Sequence, residues 1–377
     1  MKKVIALFKK EVMLSASLLA AIAALFITPP SVQLIKDIDW RTLAVLFMML
    51  TVLEGFKKEN IFRPLIVMTE KISSAAALTF FLVGCVFFSS MFVTNDVSLI
   101  VFVPLTIMLF RAGGKEHYIL PVLTFENIAA IRGSLLTPFG SPQNLFLFSS
   151  SGISVPDFLL TMLPLWIMSA VLLSIFIIIL YRKDPKEKMD FGSGGLTEEW
   201  TAENRIKRIV YICLFAVVIW VIVSRTEYWY FIAPAVLAAV LIFDRKVLLR
   251  TDYVLLLTFL CFFIFSSSVS ANPAISGFLR RSVAGREYIW AILLSQVISN
   301  VPASIVLFPF SENLKALLYG ADSAGLCSLI GSLASVINYR LYVREYPGKG
   351  GKFIKVFTLI SLAFFAIVAL PGYFLGR

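Results

Sequence analysis

Stretches of apolar residues long enough to cross a lipid bilayer recur along the whole chain. The clearest of them cover residues 11–29, 41–55, 72–93, 157–181, 206–224, 229–243, 288–298 and 353–375. Only 15% of the residues are charged, whereas soluble domains average about 25%. Strands that alternate in polarity, as in a porin, are missing from the pattern. The sequence therefore predicts an all-α polytopic membrane protein with about 11 transmembrane segments.

Positive charges predict the orientation of this protein in the membrane. Lysines at 2, 3, 9 and 10 precede the first apolar stretch, and residues 181–208 form a long polar segment rich in Lys and Arg. Because Lys and Arg accumulate on the cytoplasmic side, we expect a cytoplasmic N-terminus and a multi-pass protein of the cytoplasmic or inner membrane. The same rule accounts for the net charge of +11 without a nucleic-acid partner.

The motifs of several other protein classes are missing from the sequence. It has no phosphate-binding loop, a single histidine (His117) and four cysteines without paired spacing. Neither ATP-driven transport nor a histidine-based metal site is expected from this composition. No nucleophile–base constellation is visible either, so we predict that the protein is not an enzyme and uses no organic cofactor.

Two interrupted stretches of the first half recur in the second half. In the first pair, "VTNDVSLIVFVPL" (93–105) aligns with "ISNVPASIVLFPF" (298–310) at an offset of 205. In the second, "AAIRGSLLTPFGSPQN" (129–144) aligns with "GADSAGLCSLIGSLAS" (320–335) at an offset of 191. A weaker third pair starts at Asp39 and Asp252. Three matches in the same order predict an internal duplication.

The duplication divides the chain into predicted segments. We expect an N-terminal transmembrane helix (1–34), a first repeat (35–181), a cytoplasmic linker (182–208) and a second repeat with a leading helix (209–377). The helix after Asp39 ends beside Lys57, whereas the helix after Asp252 starts beside Arg250. By the same charge rule the two helices run in opposite directions. Inverted repeats with interrupted helices are typical of secondary transporters.

Polar interruptions inside apolar stretches indicate a binding site. Backbone groups freed by a helix break are tolerated in a membrane only where they are buried in protein or line a cavity. Freed carbonyls and the oxygens of Asn and Ser suit a cation such as Na⁺, and helix N-termini suit an anion. The alternative is that single Ser and Asn side chains only join helices and that Pro only kinks them.

Three charged residues within these stretches leave several interpretations open. Asp96 has no counterpart carboxylate, because Val301 occupies the matching position. It could ligate a cation, carry a proton, or pair with Arg132. Arg132 could alternatively bind an anionic substrate group through its planar fork, and Glu126 competes for it.

Four motifs resemble those of the ion-transporter superfamily of secondary transporters. They are "TND" (94–96), "LTPFGSPQNLFLF" (136–148), "SNVPAS" (299–304) and "IGSLAS" (330–335). This superfamily includes divalent anion:sodium symporters, citrate–metal transporters, arsenite permeases and related sodium/proton antiporters. The resemblance covers the chain from about residue 35 and implies two inverted repeats, each with a re-entrant hairpin and a broken helix.

The resemblance also implies which residues bind substrate and ion. The hairpin tips would be Thr94, Asn95 and Asp96 in the first repeat, and Ser299, Asn300 and Pro302 in the second. The helix breaks would be Gly140, Ser141, Pro142, Gln143 and Asn144, and then Gly331, Ser332 and Ser335. Coupling Na⁺ would be held by Asn95, Asp96, Asn144 and Asn300, with H⁺ as the alternative coupling ion. The family also implies a homodimer.

This sequence departs from the dicarboxylate symporters, which carry Ser-Asn-Thr at both tips. The tips here read Thr-Asn-Asp and Ser-Asn-Val. The first resembles the arsenite-permease and antiporter branches, whereas Arg132 stands where relatives often carry an apolar residue. We therefore expect an ion-coupled secondary transporter for a small anion, with a carboxylate as the first candidate. Cation/proton antiport or arsenite-like efflux is the alternative.

Overall fold

The computed structural model describes residues 12–28, 32–59, 61, 68–69, 72, 74–184 and 202–377. The four N-terminal lysines lie outside the described residues, as does the central part of the predicted linker 182–208. All regular secondary structure in the described part of the chain is helical.

The chain forms two successive sets of helices. The first comprises α1 (Val12–Ile27), α2 (Val32–Asp37), α3 (Trp40–Lys58), α4 (Ala75–Val93), α5 (Asn95–Ala112), α6 (Ile119–Gly133), α7 (Pro142–Ser151) and α8 (Val155–Leu180). The second comprises α9 (Ala202–Ser224), α10 (Trp229–Leu248), α11 (Tyr253–Ala271), α12 (Pro273–Val283), α13 (Glu287–Ile298), α14 (Asn300–Leu307), α15 (Leu314–Ala324), α16 (Leu333–Glu345) and α17 (Gly350–Gly376).

Seven of the described helical segments are long and apolar enough to cross a membrane. They are Ala75–Val93, Asn95–Ala112, Glu116–Leu136, Val155–Leu180, Arg205–Ser224, Tyr253–Ala271 and Gly350–Gly376. Shorter apolar helices, among them Glu287–Ile298 and Asn300–Phe310, are the interrupted elements predicted from the sequence. The prediction of an all-α polytopic membrane protein is confirmed.

All three duplicated sequence pairs fold into matching local structures. Asp39 and Asp252 cap α3 and α11 with nearly the same backbone angles, φ/ψ −75°/78° and −77°/82°. The carboxylate of each accepts a hydrogen bond from a backbone N–H three residues on, Thr42 N at 2.9 Å and Leu255 N at 3.0 Å. At each helix start this capping satisfies an N–H group that would otherwise be left unpaired. The weakest sequence match therefore marks equivalent helix starts.

The two repeats are packed into one another. α5, which follows the first hairpin tip, packs on α16, which follows the second break, and α14 packs on α7 in the same way. Each repeat therefore contributes the helix after its tip to a contact with the helix after the other repeat's break.

Close packing at two glycines holds each break against the segment before it. A Cβ atom on Gly140 would lie 2.2 Å from Ser134 O, and one on Gly331 would lie 2.4 Å from Ala324 O. Both distances are too short for any side chain, so only glycine allows this approach.

We predict that Gly140→Ala and Gly331→Ala each destabilise the protein by about 1–3 kcal/mol or more, because the methyl group collides with backbone that cannot rotate away. Thermal unfolding in detergent measures the loss. Gly84→Ala within α4 is the matched control: nothing lies within 4 Å of its added Cβ, and alanine favours a helix. Equal melting temperatures for all three variants would show that the breaks relax freely.

Candidate functional site

The two hairpin tips have the same unusual backbone conformation. Thr94 joins α4 to α5 at φ 70° and ψ 155°, and Ser299 joins α13 to α14 at φ 69° and ψ 159°. Positive φ is rare for a residue with a β-carbon, and β-branched threonine is especially disfavoured there. Such strain persists only where the surroundings enforce it, and it concentrates at functional sites. In each tip, the residue that follows this positive-φ position is the predicted asparagine, Asn95 or Asn300.

The two helix breaks also match. Ser141 precedes α7 at φ −146° and ψ 151°, and Ser332 precedes α16 at φ −147° and ψ 140°. Neither serine side chain caps the helix that it precedes. Ser141 Oγ is buried without a hydrogen-bond partner. The first N–H groups of each following helix are therefore not satisfied by these serine side chains.

In the second repeat, the tip and the break are bonded to each other. The Asn300 backbone N–H donates to Gly331 O at 3.1 Å, and Asn300 Nδ2 donates to Ala321 O at 3.3 Å. Pro302 is buried in the first turn of α14. In the first repeat the corresponding bond is different, because the Thr137 hydroxyl donates to Met91 O near the end of α4. Each tip thus lies against the break of its own repeat.

Arg132 lies at the centre of the molecule with no exposed surface. Its Nε donates to Ser169 Oγ on α8 at 2.8 Å. Its Nη1 donates to Asp322 O at 3.3 Å and to Ser323 Oγ at 3.5 Å, both on α15. Nη2 is buried without a hydrogen-bond partner. The guanidinium therefore joins the first repeat to the second and keeps one donor free.

Asp322 is the site residue that sequence reasoning missed. Its carboxylate is fully buried, accepts a hydrogen bond from Gln143 Nε2 at 2.9 Å and lies beside Asn144. It interacts electrostatically with Arg132, although no ion pair within 4 Å joins Arg132 to a carboxylate of the described residues. A signal was present, since Asp322 aligns with Ile131, directly before Arg132, in the second duplicated pair.

The structure answers the open question of which group Arg132 contacts. Asp96 and Glu126 are not its hydrogen-bond partners: Glu126 accepts a hydrogen bond from Thr106 and has a second oxygen, Oε2, without a partner. Asp96 instead interacts electrostatically with Asp252 and Lys57. The sequence-based pairing of Arg132 with Asp96 is wrong because the two side chains face different helices.

A cavity that we call the charged vestibule lies between α3, the start of α11 and the first tip. Its lining includes Glu54, Lys57, Thr94, Asp96, Ser141, Pro142, Arg250 and Asp252. Lys57 pairs with Glu54. The predicted site residues at the first tip and the first break therefore reach one common cavity.

A second cavity, the serine vestibule, is the counterpart of the charged vestibule. It is lined by Asp39, Ser150, Ser266, Ser267 and Ser270, among others. At the offset of 213 that relates Asp39 to Asp252, residues 53, 54 and 57 of the charged vestibule correspond to 266, 267 and 270. The duplication thus builds two equivalent cavities and gives only one of them a set of basic and acidic side chains.

The remaining predicted residues lie around α15 and α6. Asn144 donates to Leu135 O at 3.4 Å, and its Oδ1 has no partner. Ser335 accepts from Asn127 Nδ2 at 3.0 Å and donates to Gly325 O at 3.4 Å. The four predicted Na⁺ ligands fall into two neighbourhoods: Asn144 and Asn300 at α15, and Asn95 and Asp96 at the first tip. No cluster of three or more His, Cys, Asp or Glu suited to a metal occurs among the described residues.

Paired hairpins and broken helices that bury charged and polar groups inside an apolar helical bundle are typical of a membrane transporter. Comparison with known proteins agrees with this class. A family model described as a citrate transporter matches residues 4–331. This match spans most of the sequence, so the chain belongs to the citrate transporter family, whose members are transporters and not enzymes.

Individual relatives include membrane proteins and a transporter, and a solved structure shares the fold. The chain is 32% identical to the inner membrane protein YbiR of Escherichia coli over 310 residues, which are 81% of this chain and 80% of that protein. It is also 32% identical to an uncharacterized transporter of Methanocaldococcus jannaschii, over 81% of each chain. The crystal structure of the Alcanivorax borkumensis YdaH transporter shares the fold, with a TM-score of 0.57, 14% identity, and coverage of 92% of this chain and 87% of that one.

We predict that Gln143→Leu destabilises the protein by about 1.5–3 kcal/mol, because it removes a hydrogen bond to a buried charged carboxylate. In an Asp322→Asn background the same change should cost less, and a double-mutant cycle on thermal unfolding measures the difference. Gln296→Leu is the control, because the side chain of Gln296 bonds only to neutral groups. If the coupling free energy to Asp322 is the same for Gln143 and Gln296, Gln143 is not a specific hydrogen-bond partner of Asp322.

Proposed function

We propose that this protein is an ion-coupled secondary transporter that moves a small anion across the cytoplasmic membrane by alternating access. The observation that carries this proposal is the buried guanidinium of Arg132, which has one unused donor and lies where both repeats meet. The unpartnered Nη2 of this guanidinium is a charge-assisted donor that can bind an anionic group. The family description favours a carboxylate, and citrate is the first probe.

Two equivalent cavities support alternating access. The charged vestibule reaches the first tip and the first break, and the serine vestibule reaches α7 and α14 next to the second tip. In an inverted-repeat transporter the two repeats exchange their conformations as the site opens to one side and then to the other.

The coupling ion in this proposal is Na⁺ or H⁺. Unpartnered oxygens at Ser141 and Asn144 are ligands of the kind that a hard cation prefers. The predicted ligands Asn95 and Asn300 begin the helices that follow the two tips. The proposal includes a cytoplasmic N-terminus and a homodimer, which reporter access at the N-terminus and the detergent-corrected mass would test.

We predict that Arg132→Gln, Asn95→Ala and Asn300→Ala each lower uptake of labelled citrate into proteoliposomes at least about tenfold, a change that corresponds to about 1.4 kcal/mol. Arg132→Gln removes the anion partner, and the asparagine variants should also weaken the dependence on a Na⁺ or pH gradient. Asn272→Ser, which preserves the cap of α12 at a half-buried position, is the control with unchanged uptake.

A panel of other carboxylates and oxyanions, tested with the same vesicles, extends the experiment beyond citrate. If no anion is accumulated under any ion gradient by folded wild-type protein, the proposed function is wrong. Full uptake and full ion dependence in both Asn95→Ala and Asn300→Ala would show that the tips do not belong to the binding site.

Cation/proton antiport is the second candidate function, and the position of Asp96 favours it. This carboxylate lines the charged vestibule close to Asp252 and Lys57, and its Oδ1 has no hydrogen-bond partner. A carboxylate at that place can alternate between a proton and a metal cation.

Under the antiport mechanism we predict that Asp96→Asn abolishes cation-driven proton movement, measured with a pH-sensitive dye trapped inside vesicles. Under anion symport, the same variant should still accumulate citrate through Arg132, with a weaker dependence on Na⁺ because Asp96 is one of the predicted Na⁺ ligands. Unchanged proton movement in Asp96→Asn would eliminate this second candidate.

A further inference from the structure

The guanidinium of Arg132 is held by oxygen atoms of the kind that bind free cations. Ser169 Oγ, Asp322 O and Ser323 Oγ surround Nε and Nη1 at 2.8–3.5 Å. We call these three oxygens the Arg132 cradle. Carbonyl and hydroxyl oxygens are the ligands preferred by hard cations. All three residues have no exposed surface, so the cradle is closed off from bulk solvent.

Two further features give the Arg132 cradle a negative potential. Asp322 and Ser323 lie in the last turn of α15, which ends at Ala324, where unpaired carbonyls carry the negative end of the helix dipole. The Asp322 carboxylate is close enough to interact with Arg132 but is not ion-paired with it, and its Oδ2 has no partner. Gln143 holds the other oxygen of that carboxylate. The charges therefore compensate each other across a gap.

The cradle also has a special place in the duplication. At the offset of 191, Arg132 corresponds to Ser323. Arg132 thus donates a hydrogen bond to the residue that is its own counterpart in the second repeat. A group bonded to its counterpart lies where the two repeats meet, so a single charge at this point serves both of them.

We propose that Arg132 is a covalently attached cation that occupies a cation-binding position, the Arg132 cradle, between α8 and α15. This position contains neither the tips nor the breaks that were predicted to hold coupling Na⁺. Removing the guanidinium leaves three cation-binding oxygens beside an uncompensated Asp322, and a free monovalent cation then binds there. The inference deepens the proposed function by making one cation of the transport cycle permanent.

The test uses the purified full-length Arg132→Ser variant without any substrate. Its thermal stability is measured in choline chloride and then with millimolar guanidinium, Na⁺ or K⁺ replacing part of the choline. The variant should melt well below wild type in choline, and guanidinium or Na⁺ should raise its melting temperature along a saturable curve. Wild type, whose cradle is filled, should show no such rise in guanidinium.

Two variants of similar side-chain length serve as controls and keep the test decisive if Arg132→Ser does not fold. Arg132→Lys retains a positive charge on a long stem, and Arg132→Met fills the same space without charge. The Arg132→Lys variant should have a higher melting temperature than Arg132→Met, and none of the cations should raise the melting temperature of Arg132→Met. The proposal is overturned if Met equals or exceeds Lys, or if Arg132→Ser melts at the same temperature in all four salts.

This outcome is separate from that of the proposed function, since neither citrate nor any other candidate substrate is added. Cation-dependent stability of Arg132→Ser, combined with a wild type that accumulates no anion, would keep the cradle and discard anion transport. In vesicles that do transport, guanidinium should restore citrate uptake to Arg132→Ser by at least tenfold and leave Arg132→Met unchanged.

Discussion

Backbone that leaves a helix inside a membrane has to find its hydrogen bonds within the protein, and this requirement organises the whole molecule. The chain leaves regular helix at Thr94 and Ser299 and again around Gly140 and Gly331. Because lipid offers no partner for the freed groups, these four points must be buried among other helices. The packing of α5 on α16 and of α14 on α7 provides that burial by placing each repeat around the interruption of the other.

The same burial explains why charged groups survive at the centre. An isolated charge in an apolar interior is very costly, and both Arg132 and Asp322 have no exposed surface. The breaks supply what makes them tolerable: Gln143 from the first break bonds to Asp322, and the last turn of α15 offers oxygens to Arg132. Helix interruptions therefore create the polar surroundings in which buried charges are tolerated.

Asymmetry between the two repeats carries the functional information. The tips, breaks and caps of both halves share backbone angles, the largest difference being that between ψ 151° at Ser141 and ψ 140° at Ser332, so the duplicated framework is nearly the same twice. The side chains at equivalent places differ. Arg132 corresponds to Ser323, and the charged vestibule corresponds to the serine vestibule. A transporter of this kind needs equivalent frameworks to exchange conformations, whereas its specificity depends on the side chains that differ.

The sequence by itself determined the membrane class, the duplication and the positions of the interruptions, because apolar length and broken helices are local properties of the chain. It also indicated that Asn95, Asn300, Ser141 and Ser332 hold equivalent places. Only the tertiary structure decided which groups meet. Asp322 lies 190 residues from Arg132 in sequence, and no local pattern distinguishes it from Asp96 or Glu126 as a neighbour. Pairing of charges across repeats depends on how helices rotate and pack, and that is fixed by the fold as a whole.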